Sequence, residues 1–203
     1  IIDAKFLREV ENGEVVVIEN DELKSIKPFP PKKPRPCVFE YIYFSRPDSI
    51  LNGKTAYEFR KKFGEHLATE DNIESDLVVP VPDSGNAAAL GYSQKTKINF
   101  DLGLIRNHYV GRTFIEPAQK IRSLGVKLKL NANKSSIKDK KIILIDDSLV
   151  RGTTCHKIVK MLYDAGAKEI HVRIASPEIK YPDFYGVDMP TKEELLAANK
   201  SVD

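Results

Sequence analysis

Ile142-Ile143-Leu144-Ile145-Asp146-Asp147-Ser148-Leu149-Val150-Arg151-Gly152-Thr153-Thr154 is the stretch on which the fold of this chain turns. An unbroken apolar run rich in β-branched residues fits a strand covered on both faces, as in a parallel sheet. It ends in two acids, passes through a loop of hydroxyls with one glycine, and leads into residues 155–165, where Ile158, Val159 and Leu162 share the buried side of a helix. Ligands of open α/β sheets sit at the carboxyl ends of strands, where the loop offers backbone N–H groups and the next helix its positive end to an anion. Gly152 lets the backbone approach a phosphate, and Thr153 and Thr154 add hydroxyl donors. Asp146 and Asp147 add acceptors suited to a sugar diol or a hydrated Mg²⁺. A bare Asp-Asp pair would more often only cap the following helix, but the complete stretch points to phosphate binding.

The same alternation extends outward. Residues 141–145 and 170–175 read as strands and Gly166 stops the helix between them. Residues 77–81 read as a short buried strand that breaks at Pro82-Asp83-Ser84-Gly85, and 86–93, rich in small residues, as a tightly packed helix. A helix is expected over 55–68 with Tyr57, Phe59, Phe63 and Leu67 on one face, after an apolar stretch at 38–44. Residues 106–134 read mostly as loop, with a strand at 126–130. The sum is an α/β fold with a mostly parallel central sheet flanked by helices.

Upstream, 14–18 and 23–26 form a β-hairpin around the polar turn 19–22, and the five prolines of residues 27–36 make an extended linker. An isolated hairpin is marginal in water, and Ile rather than Met stands first, so the expected division is 1–36 as the remnant of a neighbouring domain with its linker and 37–203 as the main domain.

Apolar residues at 41% and charged residues at 30% exclude a disordered chain, and a net charge of +3 without a basic block argues against a nucleic-acid binder. No run approaches the ~20 apolar residues of a membrane span, and the start lacks a secretory leader. Cys37 and Cys155 are too few for a disulfide framework or a zinc cluster, which fits a reducing cytoplasm. Cys155, in the first turn of a helix, is either a thiol of lowered pKa or an inert structural one.

Residues 146–154 resemble the phosphoribosyl pyrophosphate (PRPP) loop of type I phosphoribosyltransferases, and in the form Asp-Asp-Ser-Leu-Val-Arg-Gly-Thr-Thr they look like that of the glutamine PRPP amidotransferases. Pro36 to Ser49 is similar to that family's hallmark after its interdomain linker, Val79 to Gly85 to its pyrophosphate loop, Tyr109 to Ile115 to its flexible active-site loop, and Phe184 to Asp188 to the region after its last core strand.

The resemblance implies a type I phosphoribosyltransferase fold preceded by a remnant β-hairpin. It implies a pentosyltransferase that replaces the pyrophosphate of PRPP with glutamine-derived ammonia, the first committed step of purine biosynthesis. Ser148, Leu149, Val150, Arg151, Gly152, Thr153 and Thr154 then wrap the 5-phosphate, and Asp146 and Asp147 engage the ribose diol or its Mg²⁺. Ser84 matches a position of the Mg²⁺ site, and as a plain serine it would cap the helix at Gly85. Arg112 and Arg106 stand where the family places basic residues that reach pyrophosphate, Arg106 where Lys is common, and Tyr109 and Ile115 match an ammonia channel.

Partners implied are PRPP, ammonia from a glutaminase domain, purine nucleotide inhibitors and further copies of the chain; a membrane is not among them. A [4Fe–4S] cluster is not expected: Cys37 matches a ligand of cluster-containing members, but Asp183 stands where the next cysteine would be, and such a centre takes four thiolates where this chain has two. Cys37 then reads as a small buried residue. The alternatives are another type I phosphoribosyltransferase and a PRPP-binding regulator without turnover.

Overall fold

A computed structural model describes residues 5–70, 72–108, 129–183 and 191–201. The chain divides into two compact units, Ile1–Cys37 and Val38–Asp203. In the first, β1 (Val15–Glu19) pairs antiparallel with β2 (Glu22–Ile26) around Asn20 and Asp21, both at positive φ. Asn and Asp tolerate that left-handed conformation, so the polar turn closes the hairpin. Arg8 grips Glu14 at 2.6 Å, and this contact first, with the Ser25 hydroxyl second, holds the Glu14 carboxyl far below its usual range.

In the second unit, a π-helical turn (Glu40–Phe44) and a small ribbon, β3 (Ile50–Leu51) with β4 (Lys54–Thr55), lead into α1 (Ala56–Leu67). Thr55 and Glu58 form a reciprocal capping box that fixes where α1 begins. Then follow β5 (Leu77–Pro80), α2 (Asn86–Thr96), β6 (Leu104–Arg106), β7 (Leu130–Ala132), α3 (Lys134–Ile137), β8 (Lys141–Asp146), α4 (Thr153–Asp164), β9 (Glu169–Ile174) and, near the end, α5 (Leu196–Asn199).

β8 lies between β5 and β9 and pairs parallel with both, Leu77 opposite Ile142 and Lys141 opposite Glu169. Alternate residues serve opposite faces. Val79, Ile142 and Leu144 pack with Ile158 and Leu162 of α4, whereas Val78, Ile143 and Ile145 pack with Ala88, Ala89 and Tyr92 of α2 and Leu67 of α1. The expected sheet, covered on both faces by helices, is the one observed.

Three local expectations change. α4 starts at Thr153 rather than 155, because Thr153 and Thr154 already follow the Gly152 N-cap in helical conformation. The stretch 104–108 and 129–137 is not plain loop: β6 and β7 pair antiparallel, Leu104 opposite Ala132, and α3 follows. Of the strand expected at 126–130, only the last two residues fall among those described.

The third is the face of α1. Ala56, Arg60, Gly64 and Leu67 are buried, while Tyr57 is 39% exposed. The closest approach to α2 runs through glycines rather than through the aromatic residues of α1. A Cβ on Gly64 would fall on the Ala88 backbone, and one on Gly91 would fall on the Lys61 carbonyl. The two helix backbones are therefore nearly in touch.

Candidate active site

The site forms where the ends of β5 and β8 meet. Val81 N–H donates to the Ile145 carbonyl at 2.8 Å, and a Cβ on Gly85 would lie 2.5 Å from that same oxygen. The turn after β5, with Ser84, is thereby pressed against the strand end that carries Asp146 and Asp147. Ser84 makes no cap for α2, whose N-cap is Gly85 without a side-chain bond. Its hydroxyl instead lies close enough to the Asp147 carboxylate to stabilise its charged form. Of the two readings of Ser84, a place beside the paired acids and a helix cap, the structure shows the contact with Asp147 and no side-chain cap on α2.

Asp147 is only 6% exposed. Its Oδ1 accepts from the Ser148 hydroxyl at 2.8 Å, and its Oδ2 is buried with no hydrogen-bond partner among the described residues. Burial pushes its pKa up, opposed by the Ser148 and Ser84 hydroxyls, the Ser148 amide and the positive charge of Arg60. Asp146 Oδ1 accepts the Asp147 N–H at 2.9 Å. Burial, and then the charge of Asp147, raise the Asp146 carboxyl to about 7. Among the described residues neither acid makes an ion pair. Two crowded carboxylates with an orphaned acceptor oxygen suit a hard divalent cation, which takes oxygen donors. Since no group of three ionisable ligands gathers among the described residues, substrate oxygens and water would have to complete its shell.

Residues 148–154 are accessible, with Arg151, Thr153 and Thr154 exposed. Gly152 sits at φ +75° as the N-cap of α4 and supplies no side-chain cap, so the first amides of a twelve-residue helix stay open to an anion. A non-glycine residue there would be strained. Cys155, close behind, has its thiol raised by burial and by the charge of Asp146, the opposite direction from the lowered pKa of a reactive thiol.

Arg106, at the end of β6, forms an ion pair with Asp83 in the turn after β5. The structure thus brings Arg106 to the expected pyrophosphate loop. Arg112, the loop Tyr109 to Ile115 and Phe184 to Asp188 lie outside the described residues. Cys37 is exposed rather than buried, because it falls at the end of the proline-rich stretch, where no core covers it.

Arg60 is the residue that sequence reasoning missed. It sits four positions after buried Ala56, is itself 7% exposed, and donates Nε to the Tyr41 carbonyl at 2.9 Å and Nη2 to the Ser45 carbonyl at 2.7 Å. Burial lowers its pKa and the charge of Asp147 opposes that. Only the i,i+4 spacing from Ala56 and toward Gly64 could have signalled it. Arg60→Met strands two part-buried carbonyls and is expected to cost about 1–3 kcal/mol, readable as a lower denaturant midpoint at unchanged slope.

The profile of the Phosphoribosyl transferase domain matches residues 48–183. The chain belongs to that phosphoribosyltransferase family. It is 56% identical over 202 residues to an amidophosphoribosyltransferase of Rhizobium etli, which takes in 97% of this chain and 41% of that protein. It is 54% identical to the chloroplastic amidophosphoribosyltransferase 1 of Arabidopsis thaliana, over 100% of this chain and 36% of that one. A solved structure described as glutamine PRPP amidotransferase from B. subtilis complexed with ADP and GMP superposes with a TM-score of 0.82 at 49% identity, covering 96% of this chain and 42–43% of such neighbours. This phosphoribosyltransferase chain thus spans about two fifths of the length of the curated relatives it matches. The fold expected from the sequence is that of the family. No described helix is long and apolar enough to cross a membrane.

Proposed function

We propose that the chain is the PRPP-binding half of an amidophosphoribosyltransferase, a pentosyltransferase that makes 5-phosphoribosylamine and pyrophosphate from PRPP and ammonia in purine biosynthesis. The carrying observation is the pair of carboxylates at the end of β8, Asp147 buried with an oxygen unpartnered among the described residues, beside an accessible loop that opens onto an uncapped helix start. The names and lengths of the relatives support the same reading.

In this reading the amides and hydroxyls of Ser148, Leu149, Val150, Arg151, Gly152, Thr153 and Thr154 hold the 5-phosphate, and Asp146 and Asp147 orient the ribose and, with Ser84, hold Mg²⁺. When bound, Mg²⁺ neutralises charge developing on the departing pyrophosphate. Arg106, released from Asp83, and Arg112 reach that pyrophosphate. Cleavage of the C1–O bond leaves positive charge on the ribose ring, for which the nearby carboxylates are suited. Ammonia carries its own lone pair, so no residue is required as a general base.

The hairpin unit and its linker belong to a glutaminase domain that supplies the ammonia, through a passage to which Tyr109 and Ile115 contribute. The protein works as a homo-oligomer in the cytoplasm, inhibited by purine nucleotides of the kind bound in the B. subtilis structure. Calorimetric titration of the full-length native protein with PRPP and Mg²⁺, followed by an ammonia-dependent pyrophosphate-release assay, tests the reading. Saturable binding and release are expected; no PRPP binding, or undiminished binding by the Asp146→Ala, Asp147→Ala double variant, would overturn it.

A further inference from the structure

The segment 191–201 lies against the phosphate loop at several points. Leu196 N–H donates to the Val150 carbonyl at 2.9 Å. Glu194 pairs with Arg151, Oε1 to Nε at 3.4 Å. A Cβ built on Gly152 would meet Leu196 Cδ2 at 3.2 Å, so the leucine covers the one residue of the loop at positive φ. The segment is held in turn: Leu195 is fully buried, and Asn199 Nδ2 donates to the carbonyls of Lys192, Glu193 and Leu195 at 3.0, 3.1 and 2.8 Å.

A trans peptide is planar, with its C=O and N–H on opposite sides. Fixing the Val150 carbonyl on Leu196 therefore fixes the Arg151 N–H to point away from the segment. Left free, that carbonyl could turn its oxygen toward an incoming anion and repel it. The Glu194 carboxylate meanwhile engages the Arg151 side chain through both Nε and Nη2.

We propose that residues 191–201 form a strap that presets the phosphate loop, with Leu196 and Glu194 as positioning residues for the sugar phosphate. The inference rests on the PRPP reading of the loop. Ordering the amides before binding removes an entropic cost from phosphate capture, so the strap acts on PRPP affinity and not on ammonia.

Leu196→Pro removes the donated N–H at the first position of α5, where proline is tolerated, and Leu195 already has the extended backbone (ψ 119°) that proline requires before it. Leu196→Ala keeps the N–H and removes only the side chain. In the full-length native protein, Leu196→Pro is expected to raise the KM for PRPP about tenfold beyond Leu196→Ala, with the KM for ammonia and kcat little changed. Amide hydrogen exchange of the 148–154 peptide without ligand should speed up in Leu196→Pro, and less in Glu194→Gln. Unchanged exchange together with an unchanged KM for PRPP in these variants overturns the strap. If Leu196→Pro does not fold, Leu196→Ala and Glu194→Gln decide by the same two readouts. A wild-type protein that binds no PRPP would sink the underlying reading instead, while the exchange comparison still tests the strap.

Discussion

Asp146→Asn is expected to make the ligand-free protein more heat-stable at pH 8 while weakening Mg²⁺-dependent PRPP binding by about a hundredfold or more. Both effects come from the same burial. A carboxyl raised from 3.8 to about 7 in the folded state holds its proton there after the unfolded chain has released it. Between those pH values the native state binds more protons, so ligand-free stability falls as pH rises, at most by about 1.4 kcal/mol per pH unit, and levels off above the folded pKa. Asp147 is raised too and pulls in the same direction.

Asparagine keeps an oxygen for the Asp147 N–H, now accepted at 2.9 Å, without the charge. Melting curves of wild type and variant from pH 4 to 9 should therefore diverge upward through this window. Mg²⁺ with PRPP should rescue wild type and leave the variant unmoved. A flat wild-type profile would mean that the acids are hydrated and unlike the buried pair described above.

Gly64→Ala is expected to destabilise the main unit by about 3 kcal/mol or more, near the upper end of overpacking costs. The added methyl has no flexible neighbour to push aside, because it meets the Ala88 backbone and not a side-chain tip. α1 and α2 would have to separate along their whole crossing, and Leu67, Ala88, Ala89 and Tyr92 would lose contact. Gly91→Ala should behave alike, since it faces the Lys61 carbonyl across the same crossing. Chemical denaturation checks both, and a loss below about 1 kcal/mol in each would show that the helices sit farther apart.

The strand 141–145, its two acids, the Gly152 turn and the buried Ile158 and Leu162 were legible because each is a local pattern: an apolar run, a loop residue, a helical spacing. On α1 the expected face is only partly the buried one: Leu67 is buried and Phe59 and Phe63 half-buried, but Tyr57 is exposed. Here two glycines set the helix contact, so Tyr57 is left at the surface and a charged Arg60 goes inside. Asp83 beside Arg106, Arg60 near Asp147 and the strap on Val150 join residues far apart in sequence, and no periodicity reports such pairings. Ser84 meets Asp147, the neighbour that the resemblance implies for it and that its own stretch of sequence does not report, since the acid arrives from another strand.

β8 is the middle of its sheet, with Ile142 to Ile145 shut away from water and hydrogen-bonded strands on both flanks. The two acids grow directly from that strand, so a site that exists only in the folded domain couples its occupancy to global unfolding. A nucleotide-like molecule captured there at a hundred times its dissociation constant should shift global unfolding by about 2.7 kcal/mol. A simple dye-based thermal scan would then rank ligands for this cleft without any assay of turnover.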